Sequence, residues 1–411
     1  MMLCKNFFYP ILFIIFVWLF PALYSIFFPF ETNLTTNWYL VICVLFLFFI
    51  SIILPVFYLT RRSYYDFFSD LSSFRHEKIV LFLAFAAFFF QVIDIIFLRG
   101  ISLNFNLHDN RAALENSSTH LTFVLIALLP FVYFSILCFF EKKGSIYLVP
   151  FFCVSIVYLI SGNRQFFVFG LILLFVMQFM IRPFFSKKTI FRTFLVATLL
   201  IISMFYFQFQ RQPYAEGEQL QFIYRIANIE CEGFLCQTIF ETPLAYLYLY
   251  FGIQFSGLSS MLKLSFDHDY VQAPLFSETI PVIYRRLESF FNLPEQSVVH
   301  MNMYDSFGQY YNIFPHFWRT MFGNFIFEYG FYGIFLLIFL IIFFGFFHIL
   351  IFLKIKSRFS FFILSVFYSS MIFGIMFFPL FEPALFFLFL YLFVYSVIVV
   401  FLKVFKNSNF I

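Results

Sequence analysis

Charge is scarce in this chain. Asp, Glu, Lys and Arg make up 11% of its 411 residues, where a soluble domain carries about a quarter. That excludes an ordinary soluble globular protein. The net charge of +4 says nothing about nucleic acid in such a chain, and no nucleic-acid partner is expected. The period-two alternation of a membrane-barrel strand is missing. So are a Walker motif and an inner nucleotide domain, a serine-hydrolase elbow on a plausible strand, and a cysteine–histidine set able to complete a tetrahedral zinc site. Neither a metal nor a cofactor is expected. No cleavable signal peptide is read, and the first apolar run is taken as a retained span.

What the chain has is apolar length. Hydrophobic residues reach 63% and mean hydropathy is +0.93. The apolar runs are about 20 residues long, enough for a helix to cross a hydrocarbon core. The expected fold is an all-α polytopic membrane protein, a single integral membrane domain over 1–411. It has about ten spans, at 7–28, 38–60, 79–98, 120–140, 145–160, 165–181, 193–210, 325–353, 359–378 and 384–402. The 79 phenylalanines suit lipid-facing helices and carry no functional signal.

Lys and Arg favour cytoplasmic segments. With ten spans, every dense basic cluster (Arg61–Arg62, Lys142–Lys143, Lys187–Lys188, Lys354–Arg358) and both termini fall on the inner side. One large outer loop then remains, 211–315, between spans seven and eight. The segment Pro243–Leu262 is long enough to span, but a span there would move the later basic clusters outside. It is read instead as an interfacial or re-entrant helix, with Tyr246, Tyr248 and Tyr250 at the headgroup level. In the same loop, Cys231 and Cys236 could form a disulfide in an oxidising compartment.

Nine cations stay outside: Arg99, Arg111, Arg164, Arg211, Arg225, Lys263, Arg285, Arg286 and Arg319. All but one are Arg, whereas Lys outnumbers Arg inside. Topology needs only positive charge. Arg adds a planar fork that binds phosphate bidentately and stays charged in a poorly hydrated site. Three of these lie at the membrane edge. Arg164 opens span six after "SGN", Arg211 closes span seven in "FQFQRQPY", and Arg319 follows Pro315 at the entry to span eight. A helix N-terminus favours anions. Arg164 and Arg319 are expected beside two outward-facing N-termini, where a lipid-linked diphosphate would bind. Arg111, Arg285 and Arg286 are secondary candidates, and pairing with outer carboxylates is the plainer explanation for any one of these arginines.

The densest stretch is "FPHFWRTMFGNFIFEYGFYGIF", Phe314–Phe335. His316 has the reference range of a proton acceptor near neutrality. Gly323, Gly330 and Gly333 fall on one side of a continuous helix and read as a packing seam. Glu328 is either a catalytic carboxylate or the structural partner of a polar group on another helix; Asp94 and Glu382 raise the same question.

At these residues the chain resembles the oligosaccharide repeat-unit polymerases (the O-antigen polymerase, Wzy-type family). "TMFGNFIFEYGFYGIF" is similar to their closing motif, and "YLISGNRQFFVFG" to their earlier small-residue-plus-Arg turn. The layout of spans and the single large outer loop match as well. The motifs cover about 30 residues, and related O-antigen ligases share the layout. The resemblance implies a metal-independent glycosyltransferase of the bacterial inner membrane. It would transfer a glycan from undecaprenyl diphosphate to a lipid-linked acceptor unit, in O-antigen or capsule-type polysaccharide synthesis. Donor and acceptor lipids, bulk membrane lipid and a chain-length regulator protein are the implied partners. Arg164, Arg211 and Arg319 would hold the diphosphate, and His316 or Glu328 would serve catalysis. A ligase and a lipid-linked oligosaccharide flippase are the alternatives. The first outer loop has Glu31 as its one acid, which argues against the membrane glycosyltransferases that place an acidic motif there.

Overall fold

The computed structural model describes residues 2–27, 38–60, 71–101 (except 73 and 75), 120–142, 144–161, 165–181, 254–265 (except 256, 260 and 264), 273–295, 298 and 320–408 (except 377). Within them the chain is helical and forms no strand. Two serines, Ser72 and Ser357, pair as an isolated bridge. The helices are α1 (Met2–Phe27), α2 (Trp38–Thr60), α3 (Glu77–Val92), α4 (His120–Lys142), α5 (Val149–Ile160), α6 (Gln165–Ile181), α7 (Pro281–Phe291), α8 (Met321–Tyr329), α9 (Tyr332–Ile355), α10 (Arg358–Phe373) and α11 (Pro383–Ser408). Four stretches are long and apolar enough to cross a membrane: Trp38–Phe57, Glu77–Leu98, Val124–Lys142 and Tyr332–Leu353. Five shorter apolar helices accompany them. This is an α-helical membrane protein.

The central element is α10, buried on every side from Phe359 to Phe373. A helix with no polar face must sit inside the bundle. Three of its serines are satisfied locally: Ser365, Ser369 and Ser370 donate to the carbonyls of Phe361, Ser365 and Val366, whereas the buried Tyr368 hydroxyl has no hydrogen-bond partner among the described residues. Near its far end an aromatic knot ties four helices. Trp18 of α1 donates its indole N–H to the Met371 carbonyl at 2.8 Å. Its ring packs on Phe48 of α2 and Phe322 of α8.

Several expected spans differ in detail. The expected 325–353 helix is broken. Helix α8 ends at Gly330, whose φ of 62° and ψ of −152° only glycine adopts comfortably. The chain reverses there and α9 packs back along α8. A Cβ at Gly333 would lie 2.3 Å from the Phe325 carbonyl oxygen. Gly330 therefore makes a turn and Gly333 a close contact, and the two do not continue one seam on a single helix. The third span ends in a π-helical turn, Ile93–Leu98. The expected span 193–210 lies outside the described residues.

The segment 243–262, expected as an interfacial or re-entrant helix, departs from the interfacial reading where it is described. Phe255, Leu258, Met261 and Leu262 are buried in the core, and the Phe255 ring lies 6.2 Å from Trp18. This part of the segment is packed into the bundle and does not lie along its surface.

Candidate functional site

At one end of the bundle a polar cluster joins segments distant in sequence. Glu328, buried near the end of α8, accepts the backbone N–H groups of Glu278 and Thr279 at Oε1, both at 2.6 Å. The Thr279 hydroxyl donates to Oε2 at 2.8 Å. Asn324, one helical turn earlier on α8, donates to the Glu278 carbonyl at 3.0 Å and accepts the Phe378 N–H at 3.0 Å. The Phe327 carbonyl accepts the Ala273 N–H at 2.8 Å. Segment 273–279 is thus stitched along α8, and α8 in turn to the loop after α10. Two amide donors and a hydroxyl on one carboxylate are strong, charge-assisted bonds. Both Glu328 oxygens are engaged, and the geometry is that of a clamp.

A second cluster stands at the same end. The π-helical turn carries the buried Asp94 towards Arg99, whose Nε donates to Oδ2 at 3.0 Å. The guanidinium also donates to the Thr122 hydroxyl at 2.5 Å. Arg99, first read as an outer cation, is therefore buried and paired within the bundle. Half-buried Glu382, just before α11, lies within electrostatic reach of Tyr133 and Tyr158. Burial raises its carboxyl to about 7.

Residues 373–382 link the clusters. Phe373 packs on Phe169 of α6 at 5.5 Å. The next carbonyl, of Gly374, accepts the Met321 N–H at 2.7 Å. Phe378 packs edge-on against Phe325 at 4.9 Å. The stretches around α5–α6 and along α8–α9 therefore meet the same short connection.

The opposite end of the bundle is tied by charge. Both oxygens of Glu141 accept the Phe74 N–H, and Arg358 pairs with it at 3.2 Å. Lys142 pairs with Glu77 at 3.4 Å.

The sequence candidates divide accordingly. His316, Arg319, Arg164, Arg211, Arg111, Cys231 and Cys236 lie outside the described residues. For two of them an adjoining segment is described: α5 ends and α6 begins on either side of 162–164, and Thr320 directly follows Arg319. Arg285 and Arg286 are exposed on α7. One expectation changes. The helix after Arg319 was to open towards the membrane surface, but Thr320, Met321 and Phe322 are buried. The first amide of α8 already donates to Gly374, so this N-terminus faces the bundle interior. Sequence reasoning missed Asn324 and Thr279. Asn324 had a signal, standing four residues before Glu328 on the same helical face; Thr279 had none. Among the described residues no three His, Cys, Asp or Glu side chains form a metal-binding group. No family model, curated protein or solved structure matches the chain.

Proposed function

We propose that the protein polymerises lipid-linked oligosaccharide repeat units at the outer face of the bacterial inner membrane. The observation that carries this reading is the meeting of the two resemblance stretches. Phe169 and Met321, 152 positions apart, pack and bond against the adjacent residues Phe373 and Gly374. A polar end with buried acids and an opposite end rich in Lys and Arg agree with the expected orientation.

In this reading the anomeric carbon of the donor glycan breaks its bond to the diphosphate oxygen, which leaves with the electron pair. A hydroxyl of the acceptor unit forms the new bond and gives up its proton. Arg164, Arg211 and Arg319 hold the diphosphate charge, a task suited to fixed guanidinium forks. His316 accepts the proton. Glu328, with both oxygens engaged by segment 273–279, acts as a positioning residue. Donor and acceptor remain anchored by their lipid tails, so the reaction belongs at the bilayer edge.

Deletion of the gene, with analysis of the surface polysaccharide, tests the reading. A polymerase mutant retains one repeat unit on its acceptor. Polymer left on the lipid carrier points to a ligase, and single units trapped inside point to a flippase. An intact chain-length ladder refutes the proposal.

A further inference from the structure

We propose that α7 lies on the outer leaflet of the membrane. Phe290, Phe291 and Leu293 enter the acyl region, and Arg285 and Arg286 meet anionic phospholipid headgroups. This goes beyond the catalytic reading and does not depend on it.

Depth is the first argument. Helix α9 has 24 residues, about 36 Å at 1.5 Å per residue. The hydrocarbon core is about 30 Å thick. The far end of α9 runs to Lys356 and Arg358, which belong in water. Its first residue, Tyr332, must then stand at the opposite headgroup level. Tyr332 is 76% exposed, as suits a residue of the interfacial aromatic belt. Four residues earlier, Glu328 holds the amides of Glu278 and Thr279. Helix α7 starts two residues after Thr279, so its start is fixed at that same level.

The second argument is its composition by face. Ile283, Leu287 and Phe290 recur at i, i+4 and i+7 and form one stripe. Pro281 and Tyr284 are buried against the bundle, whereas Phe290 is 81% and Phe291 69% exposed. Arg285 and Arg286 are exposed on the remaining arc. A short helix with an apolar stripe, a cationic flank and low overall hydrophobicity is the pattern of one lying in a membrane interface.

The third argument is that the exposed aromatics are held in place. Asn292 takes a left-handed conformation (φ 50°) and ends the helix. The Leu293 N–H donates to the Glu288 carbonyl, and the Tyr284 hydroxyl donates to the Pro294 carbonyl at 2.8 Å. Phe291 and Leu293 are thereby fixed on either side of a tight turn. The lipid-facing stripe of α9, from Tyr332 through Phe335 to Phe339, starts at the same end.

Tryptophan quenching in reconstituted vesicles tests this. F290W and F291W are each placed in the full chain, in phosphatidylcholine–phosphatidylglycerol vesicles carrying brominated lipid, and the wild-type emission is subtracted. F335W, on the α9 stripe, reports an intact bundle through quenching by deeply brominated lipid. The proposal expects the α7 tryptophans to be quenched at least about twofold more by lipid brominated near the headgroup than near the chain end. Iodide should leave them largely unquenched. Reversing the charge of both arginines (R285E/R286E) should about halve the shallow quenching. Full iodide access without bromolipid quenching would place α7 in water and overturn the proposal. Exclusion of both quenchers would show a protein partner or a second copy over the stripe, and also overturns it. Quenching indifferent to charge reversal removes the headgroup contact.

Discussion

Glu328 and Thr279, 49 positions apart, are joined through both carboxylate oxygens: the Thr279 amide donates to Oε1 and its hydroxyl to Oε2. The pair holds a loop segment against the start of the α9 span. Glu328→Ala should leave two buried amides without an acceptor and destabilise the protein by about 2–3 kcal/mol. Hydrogen exchange should rise selectively over 273–291, and Glu328→Gln, which keeps one carbonyl oxygen, should be milder. If Glu328 were instead the proton acceptor, Glu328→Gln would abolish turnover without changing that exchange.

The α8–α9 reversal depends on two glycines for different reasons. Gly330→Ala forces a side chain into a glycine-only backbone region and should lose about 1–3 kcal/mol. Gly333→Ala drives a methyl group into the Phe325 carbonyl and should lose at least as much, because backbone cannot move aside cheaply. Thermal melting in detergent checks both. An unchanged melting temperature for either variant would contradict the described turn.

Asp94 and Arg99 form a buried pair. Arg99→Ala strands a buried carboxylate and should lose about 3–5 kcal/mol. The double change Asp94→Asn with Arg99→Gln removes both charges and should recover much of that loss. A double-mutant cycle on melting temperature measures the coupling.

Glu382 titrates in the physiological range. Its carboxyl is raised to about 7 in the fold, so the folded state holds a proton that the unfolded chain, near the ordinary 4.5, has released. Stability should fall as pH rises from about 4.5 to about 7. The contribution is about 1–2 kcal/mol once its partial exposure is allowed for. Glu382→Gln should flatten this part of the melting profile. An unchanged slope would show that Glu382 ionises freely.

The proposed diphosphate site predicts an asymmetry between cations. Arg164→Ala and Arg319→Ala should each reduce polymer formation by about 10²–10³-fold at normal expression. Arg→Lys should recover only part of it, since a lysine cannot make the bidentate contact. Full activity in the Lys variants would mean that charge alone is needed there.

Much of the architecture was legible in the chain. The helix Trp38–Thr60 matches its expected span at both ends, and Gln165–Ile181 does too, because long apolar runs bounded by polar turns leave few choices. Asp94, Glu328 and Glu382 were flagged because acids at a membrane edge are costly and need a reason to be there. The reasons themselves were not legible. Asp94 answers to a residue five positions away, but Glu328 answers to segment 273–279 and Glu382 stands near Tyr133 and Tyr158. No local pattern encodes partners that distant. The break at Gly330 was hidden by apolar residues on both sides, which suit one long helix as well as two antiparallel ones.

Composition and periodicity by themselves determined that this chain is a helical membrane protein and roughly where most described helices run. Both follow from transfer of apolar side chains and from backbone hydrogen bonding within single segments. Only the tertiary structure decided that Glu328 is a clamp, that Arg99 is buried against Asp94, and that α8 begins inside the bundle. Those outcomes depend on which donors and acceptors are brought together when separate helices pack, and a buried polar group takes its role from the partner it meets there.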